Sequence, residues 1–127
     1  MMNYLVIAIA GALGAVARYG LSGISHKMLG SNFPYGTFIV NILGCFAIGF
    51  IMKVSLTTTL IPETWRIAIT VGFIGALTTF STFSYETIKL IEDSSYALAI
   101  TNIAANVVLG IAATIAGAVI SKLILGG

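Results

Sequence analysis

Four apolar stretches, at roughly 4–23, 35–52, 66–91 and 97–123, take up most of this chain. A span needs about 20 residues to cover a hydrocarbon core of roughly 30 Å. Inside that core every backbone N–H and C=O must find its partner within the protein, which points each stretch to a helix. The reading is an all-α integral membrane protein, a single domain of four transmembrane helices over residues 1–127. Composition agrees: 58% of the residues are hydrophobic and 8% charged, with a mean hydropathy of +1.07, against roughly 25% charged in soluble domains. The opening run MMNYLVIAIAGALGA has neither the basic start nor the small-residue cleavage site of a signal peptide, so it reads as a permanent helix. The single cysteine, Cys45, lies in an apolar run and forms no intrachain disulfide.

In the first span Ala8, Gly11, Ala12 and Ala15 recur at helical spacing, a stripe that lets a neighbouring helix approach closely. Arg18 near its end has two readings, an interfacial anchor or a partner for a group inside the bundle. The connection at 25–34 holds His26 alone, without a second metal ligand in view. The second span starts after Pro34 and carries Thr37, Asn41, Gly44 and Cys45 on one stripe. A carboxamide facing lipid strands its donors and acceptors, so Asn41 faces another helix or a wet cavity. Residues 53–64 form the next connection, and Tyr4, Tyr35, Trp65 and Tyr96 sit where aromatic belts form.

The third span is unlike the others. Its midpoint falls near Thr78 and Thr79, inside GFIGALTTFSTFS (72–84), and the ten residues TTFSTFSYET carry six Ser and Thr hydroxyls. Gly72 and Gly75 weaken the helix just ahead of them, which predicts a break or kink around 75–79 that frees backbone carbonyls. Such backbone is tolerated at mid-membrane only where protein buries it or a cavity is lined by it. Beyond the break Phe80 and Phe83 share one face, and Thr79, Thr82 and Glu86 the adjacent one. The rings are either plain packing or partly positive edges offered to an anion. Glu86 has Lys89 nearby as a modest ion-pair partner. On the fourth span Asn102, Asn106 and Gly110 lie on one stripe, either a packing seam or a polar lining, and Ala113 and Gly117 extend it.

Four spans put Lys53, Arg66 and Lys122 on one side and Arg18, Lys27 and Lys89 on the other. Three against three leaves the positive-inside rule without a preference, so the chain is able to insert both ways. Opposed copies then permit an antiparallel, dual-topology homodimer in which the two third-span breaks meet. A net charge of +2 with no basic run gives no footprint for nucleic acid.

Three blocks, Gly14-Ala15-Val16-Ala17-Arg18-Tyr19, Gly36-Thr37-Phe38-Ile39-Val40-Asn41-Ile42-Leu43-Gly44, and 72–84 with Glu86, together resemble the small fluoride channels of the Fluc (CrcB) type. The resemblance implies a multi-pass protein of the bacterial plasma membrane, a dual-topology homodimer with two antiparallel fluoride pores. It implies a structural sodium ion on the two-fold axis, held by backbone carbonyls that map to Gly75 and Thr78 of both copies. The fluoride pathway maps to Asn41, Phe80 and Phe83, with Ser81 and Thr82 along a polar track and Thr37 beside it; on the fourth span the candidate lining of Asn102 and Asn106 departs from the tyrosine or serine that some relatives carry. Arg18 and Glu86 match charged positions of the family.

The residues leave two other readings open. Small multidrug transporters resemble this chain in length and span number but place a glutamate in the first span, where this chain has no acid; Glu86 is the only acid inside any span. A structural subunit would use its polar residues as interhelical glue alone. An enzyme fits worst, since His26 and Cys45 lie far apart and no nucleophile stands beside a base.

Overall fold

The computed structural model describes residues 1–126 and is all-helical. Helix α1 covers Met2–Leu29 and α2 covers Tyr35–Thr57. The third span, Glu63–Glu92, is divided into α3 (63–77) and α4 (Phe80–Glu92). Helix α5, Tyr96–Leu125, is the fourth span. Four helices are thus long and apolar enough to cross a membrane, and the break lies within the predicted window.

The helices outrun their apolar cores. Helix α1 continues through His26 and Lys27 and stops at Gly30, whose N–H still closes on the His26 carbonyl at 3.0 Å and whose φ of 90° turns the following chain out of the helix. The predicted loops at 25–34 and 53–64 therefore shrink to 30–34 and 58–62. Nothing in a polar last turn stops helical hydrogen bonding, so hydropathy marks the membrane and not the helix end.

Close backbone packing holds the bundle together, as expected where lipid tails give helices no hydrophobic reason to associate. Helix α2 packs along the second half of α5: a Cβ at Gly49 would collide with the Thr114 carbonyl, and one at Gly117 with the Phe46 carbonyl. Helix α1 lies on α3, where a Cβ at Gly14 would meet the Phe73 carbonyl and one at Gly72 would come within 2.8 Å of Ala10 Cβ. This corrects the predicted stripe. Ala10, Gly11 and Gly14 face the bundle, while Ala8, Ala12 and Ala15 are exposed; α1 has small residues on several faces, so spacing alone could not choose among them.

The seam on α5 fits the expectation, with Asn102, Gly110, Gly117 and Ser121 buried. A step of four residues overshoots a 3.6-residue turn by about 40°. Asn102, Asn106 and Gly110 stay on one side because residues Ala105–Leu109 adopt the wider i→i+5 turn. A second wide turn, Ala68–Ile74, precedes the break in the third span. Large apolar side chains such as Leu13, Ile100 and Leu123 point outward, the reverse of a water-soluble core.

Candidate ion pathway at the break in the third span

Threonine chemistry makes the break. The Thr78 hydroxyl and its backbone N–H both donate to the Ile74 carbonyl at 3.1 Å, closing α3. Thr78 and Thr79 are then extended (ψ 157° and 121°). Thr79 caps α4, its Oγ1 accepting the Thr82 N–H at 3.2 Å, which is the helix-capping preference of a threonine at that position. Among the described residues the carbonyls of Gly75, Ala76, Leu77 and Thr78 receive no hydrogen bond, as at any helix C-terminus. The break thus sets the carbonyl end of α3, attractive to cations, beside the N–H end of α4, attractive to anions.

Asn41 bridges this gap from α2. Its Oδ1 accepts the Thr79 N–H at 2.8 Å, and its Nδ2 donates to the Thr79 carbonyl at 3.2 Å and to Asn106 Oδ1 at 3.1 Å. Asn106 Nδ2 donates to the Asn102 carbonyl at 2.9 Å and to Asn102 Oδ1 at 3.0 Å. Asn102 Nδ2 donates to Thr87 Oγ1 at 2.9 Å, and that hydroxyl donates to the Phe83 carbonyl at 2.8 Å. The predicted polar stripe of α2 faces the third span turn by turn. Thr37 donates to the Glu86 carboxylate, Asn41 holds Thr79, and Gly44 leaves room for the Thr78 methyl. Glu86 therefore engages Thr37 across the bundle, and among the described residues the one ion pair is a surface contact of 3.9 Å between Arg66 and Glu63.

Two clefts meet here. One, of about 870 Å³, is bordered by Arg18, His26, Lys27, Thr37, Thr82 and Glu86; the other, of about 400 Å³, by Asn41, Gly75, Thr78, Phe80, Phe83 and Asn106. Thr79 borders both. The Phe80 and Phe83 rings are 5.6 Å apart and inclined at 56°, with Phe83 buried and Phe80 exposed. Ser81 is exposed and borders neither cleft. Asn102 is 1% exposed and lies behind Asn106. Thr79, placed by spacing on the face of Thr82 and Glu86, turns out to cap α4 and to bond Asn41, and Thr87, one turn after Phe83, was given no site role from the sequence. His26 and Lys27 join the first cleft because α1 runs on past its apolar part.

Replacing Asn102 with leucine is expected to remove one bond from each of Asn106 and Thr87, which keep their bonds to the backbone carbonyls of residues 102 and 83, at a cost of about 1–3 kcal/mol. Unfolding in mixed detergent micelles measures this; wild-type resistance would show that these bonds contribute nothing.

A four-span helical bundle whose third span breaks at mid-membrane, with uncharged polar groups converging from α2, α4 and α5, is a membrane protein with an ion-pathway architecture. The chain belongs to the CrcB family: it matches the family described as "CrcB-like protein, Camphor Resistance (CrcB)" over residues 5–118. It is 52% identical over 114 residues to a "Fluoride-specific ion channel FluC" of Geobacter metallireducens, covering 90% of this chain and 92% of the relative. It is 49% identical over 127 residues to a protein of that name from Pelobacter propionicus, covering 100% and 98%. A Dehalococcoides mccartyi protein, also so named, is 46% identical over 124 residues, covering 98% and 95%. This chain is a multi-pass membrane protein and not an enzyme.

Proposed function

We propose that this chain is a fluoride-selective channel that lets fluoride leave the cell passively, as an antiparallel homodimer with two pores and a structural sodium ion between the copies. The observation that supports it best is the break at Thr79, where the N–H end of α4, the Thr82 hydroxyl, the Asn41 amide and two phenylalanine rings converge without a lysine or arginine among them. Fluoride is small and strongly hydrated, so a pathway has to replace its water with close donors. Conduction also requires sites weak enough to release the ion. Neutral amides, hydroxyls and ring edges meet both demands, whereas a buried cation would hold the anion too tightly. Arg18 and Lys27 border only the first cleft, together with Glu86, and there leave a net positive balance that favours anions. The relatives' printed names point to the same ion.

The unbonded carbonyls of Gly75 and Thr78 are hard oxygen donors and suit a sodium ion, to which each copy would contribute the same pair. Such an ion supplies a fixed positive potential near both pores. Gly75 has its nearest contact at 3.5 Å from the position of a Cβ and presents its backbone openly to the second cleft.

Liposomes loaded with fluoride are expected to lose it through the reconstituted protein while retaining chloride. Equal passage of both ions would sink selectivity, and no passage would sink the channel. Exchanging sodium for a large organic cation on both sides is expected to reduce the flux, and an unchanged rate would remove the sodium ion from the scheme. Disulfide formation between two copies of a Thr79→Cys protein tests whether the breaks meet.

A further inference from the structure

Asn41 has both of its N–H groups engaged, one by the Thr79 carbonyl and one by Asn106 Oδ1. Backbone groups settle which atom of each amide is oxygen. The Thr79 N–H can only donate, so Asn41 turns its carbonyl there and its NH2 toward Asn106. Asn106 must then present its own carbonyl to Asn41, and its NH2 faces the Asn102 backbone carbonyl, which can only accept. Asn102 passes its NH2 to Thr87, whose proton ends on the Phe83 carbonyl. Apart from the Asn41 N–H that returns to the Thr79 carbonyl, the donors run one way, from Thr79 to Phe83. By contrast, the Thr82 hydroxyl receives the Thr79 proton, and its own proton meets no acceptor among the described residues.

We propose that Asn106 is a built-in competitor for the anion: its side-chain carbonyl occupies the Asn41 N–H that fluoride takes, and so sets how tightly fluoride is held there. This rests on the reading of the chain as a fluoride channel. Asn41 is oriented by two bonds to Thr79 and needs no third one to keep its place. Removing Asn106 therefore frees a donor without releasing the side chain that carries it. A hydrogen bond to an anion is roughly twice as strong as one to a neutral carbonyl, so fluoride displaces Asn106, yet it binds less tightly than it would to an unoccupied N–H. Asn106 in this role is a positioning residue acting through Asn41, and it speeds release.

The test uses full-length protein. In Asn106→Ser the shorter hydroxyl bonds back to the Asn102 carbonyl four residues earlier and falls short of Asn41. The fluoride concentration for half-maximal flux in liposomes is expected to fall about three- to tenfold, the worth of one net hydrogen bond, and the maximal flux is expected to fall with it. Asn106→Leu is expected to shift the same way, with Asn106→Ser as the variant that keeps the fold. In micelles, fluoride is expected to shift the Asn41 side-chain amide resonance at lower concentration in Asn106→Ser than in wild type. A lower maximal flux with unchanged half-saturation, or a raised half-saturation, would overturn the proposal. So would a wild-type protein that conducts fluoride while the Asn41 amide does not respond. Wild-type vesicles that pass no fluoride would instead sink the channel reading itself.

Discussion

Vesicles carrying Asn41→Asp are expected to lose fluoride flux by about 100-fold or more. The substitution keeps the shape of the side chain and the acceptor for the Thr79 N–H, so the break retains its partner from α2. It removes the NH2 group that serves the Thr79 carbonyl and Asn106, and it places a carboxylate on the border of the second cleft. Two like charges about 4 Å apart repel by about 4 kcal/mol at an effective dielectric constant near 20. Each 1.36 kcal/mol or so is tenfold in rate, so even half of that repulsion suppresses passage strongly. Asn41→Ala serves as the contrast: it adds no charge but leaves the Thr79 N–H and C=O unpaired, at about 1–3 kcal/mol each. Both variants are therefore expected to resist unfolding less than wild type, Asn41→Asp because the Thr79 carbonyl and Asn106 Oδ1 then face a carboxylate, and the charge is read from the flux loss of Asn41→Asp exceeding that of Asn41→Ala. Wild-type flux through Asn41→Asp would remove Asn41 from the pathway.

The second large effect is on folding. Gly49→Val is expected to destabilise the bundle by several kcal/mol, since even its first carbon collides with the Thr114 carbonyl on α5 and neither backbone is able to give way without unpacking the seam. Added helix propensity returns less than about 1 kcal/mol. Gly75→Ala is the paired control. Its new methyl meets nothing closer than the Thr70 carbonyl at 3.5 Å, so a single copy is expected to fold with wild-type stability. Unfolding curves in mixed micelles separate the two; equal stability of Gly49→Val and wild type would refute the packing argument. Loss of flux in Gly75→Ala with unchanged monomer stability would place its effect at the carbonyls or at the contact between copies.

Hydropathy was enough to find the four spans, because burial of backbone in lipid imposes a minimum apolar length that no other element satisfies. The break was equally legible. Glycines followed by hydroxyl residues are poor helix continuers, and threonines at helix ends cap through their own side chains. The packing face of α1 was not legible, since small residues at helical spacing occur on more than one side of it. Nor were the partners of the buried polar groups. Glu86 has a lysine within reach along its own helix, yet it takes the Thr37 hydroxyl 49 residues away. That choice depends on the rotation of α2 against α4, which spacing within either helix does not encode.

The sequence by itself therefore determined the class, the number of spans, the place of the break and the stock of uncharged donors around it. These follow from local chemistry, namely the apolar length of a segment and the propensities of glycine and threonine. Only the tertiary structure decided that Asn41 and Asn106, 65 positions apart, meet at the break, and that Asn102 and Thr87 stand behind them. Two wide turns, at Ala68–Ile74 and Ala105–Leu109, alter the helical phase just ahead of the break and of Gly110. A hydrogen bond between helices is short and directional, so a shift of phase by a fraction of a turn decides which groups pair, and that phase is set by the packing of the whole bundle.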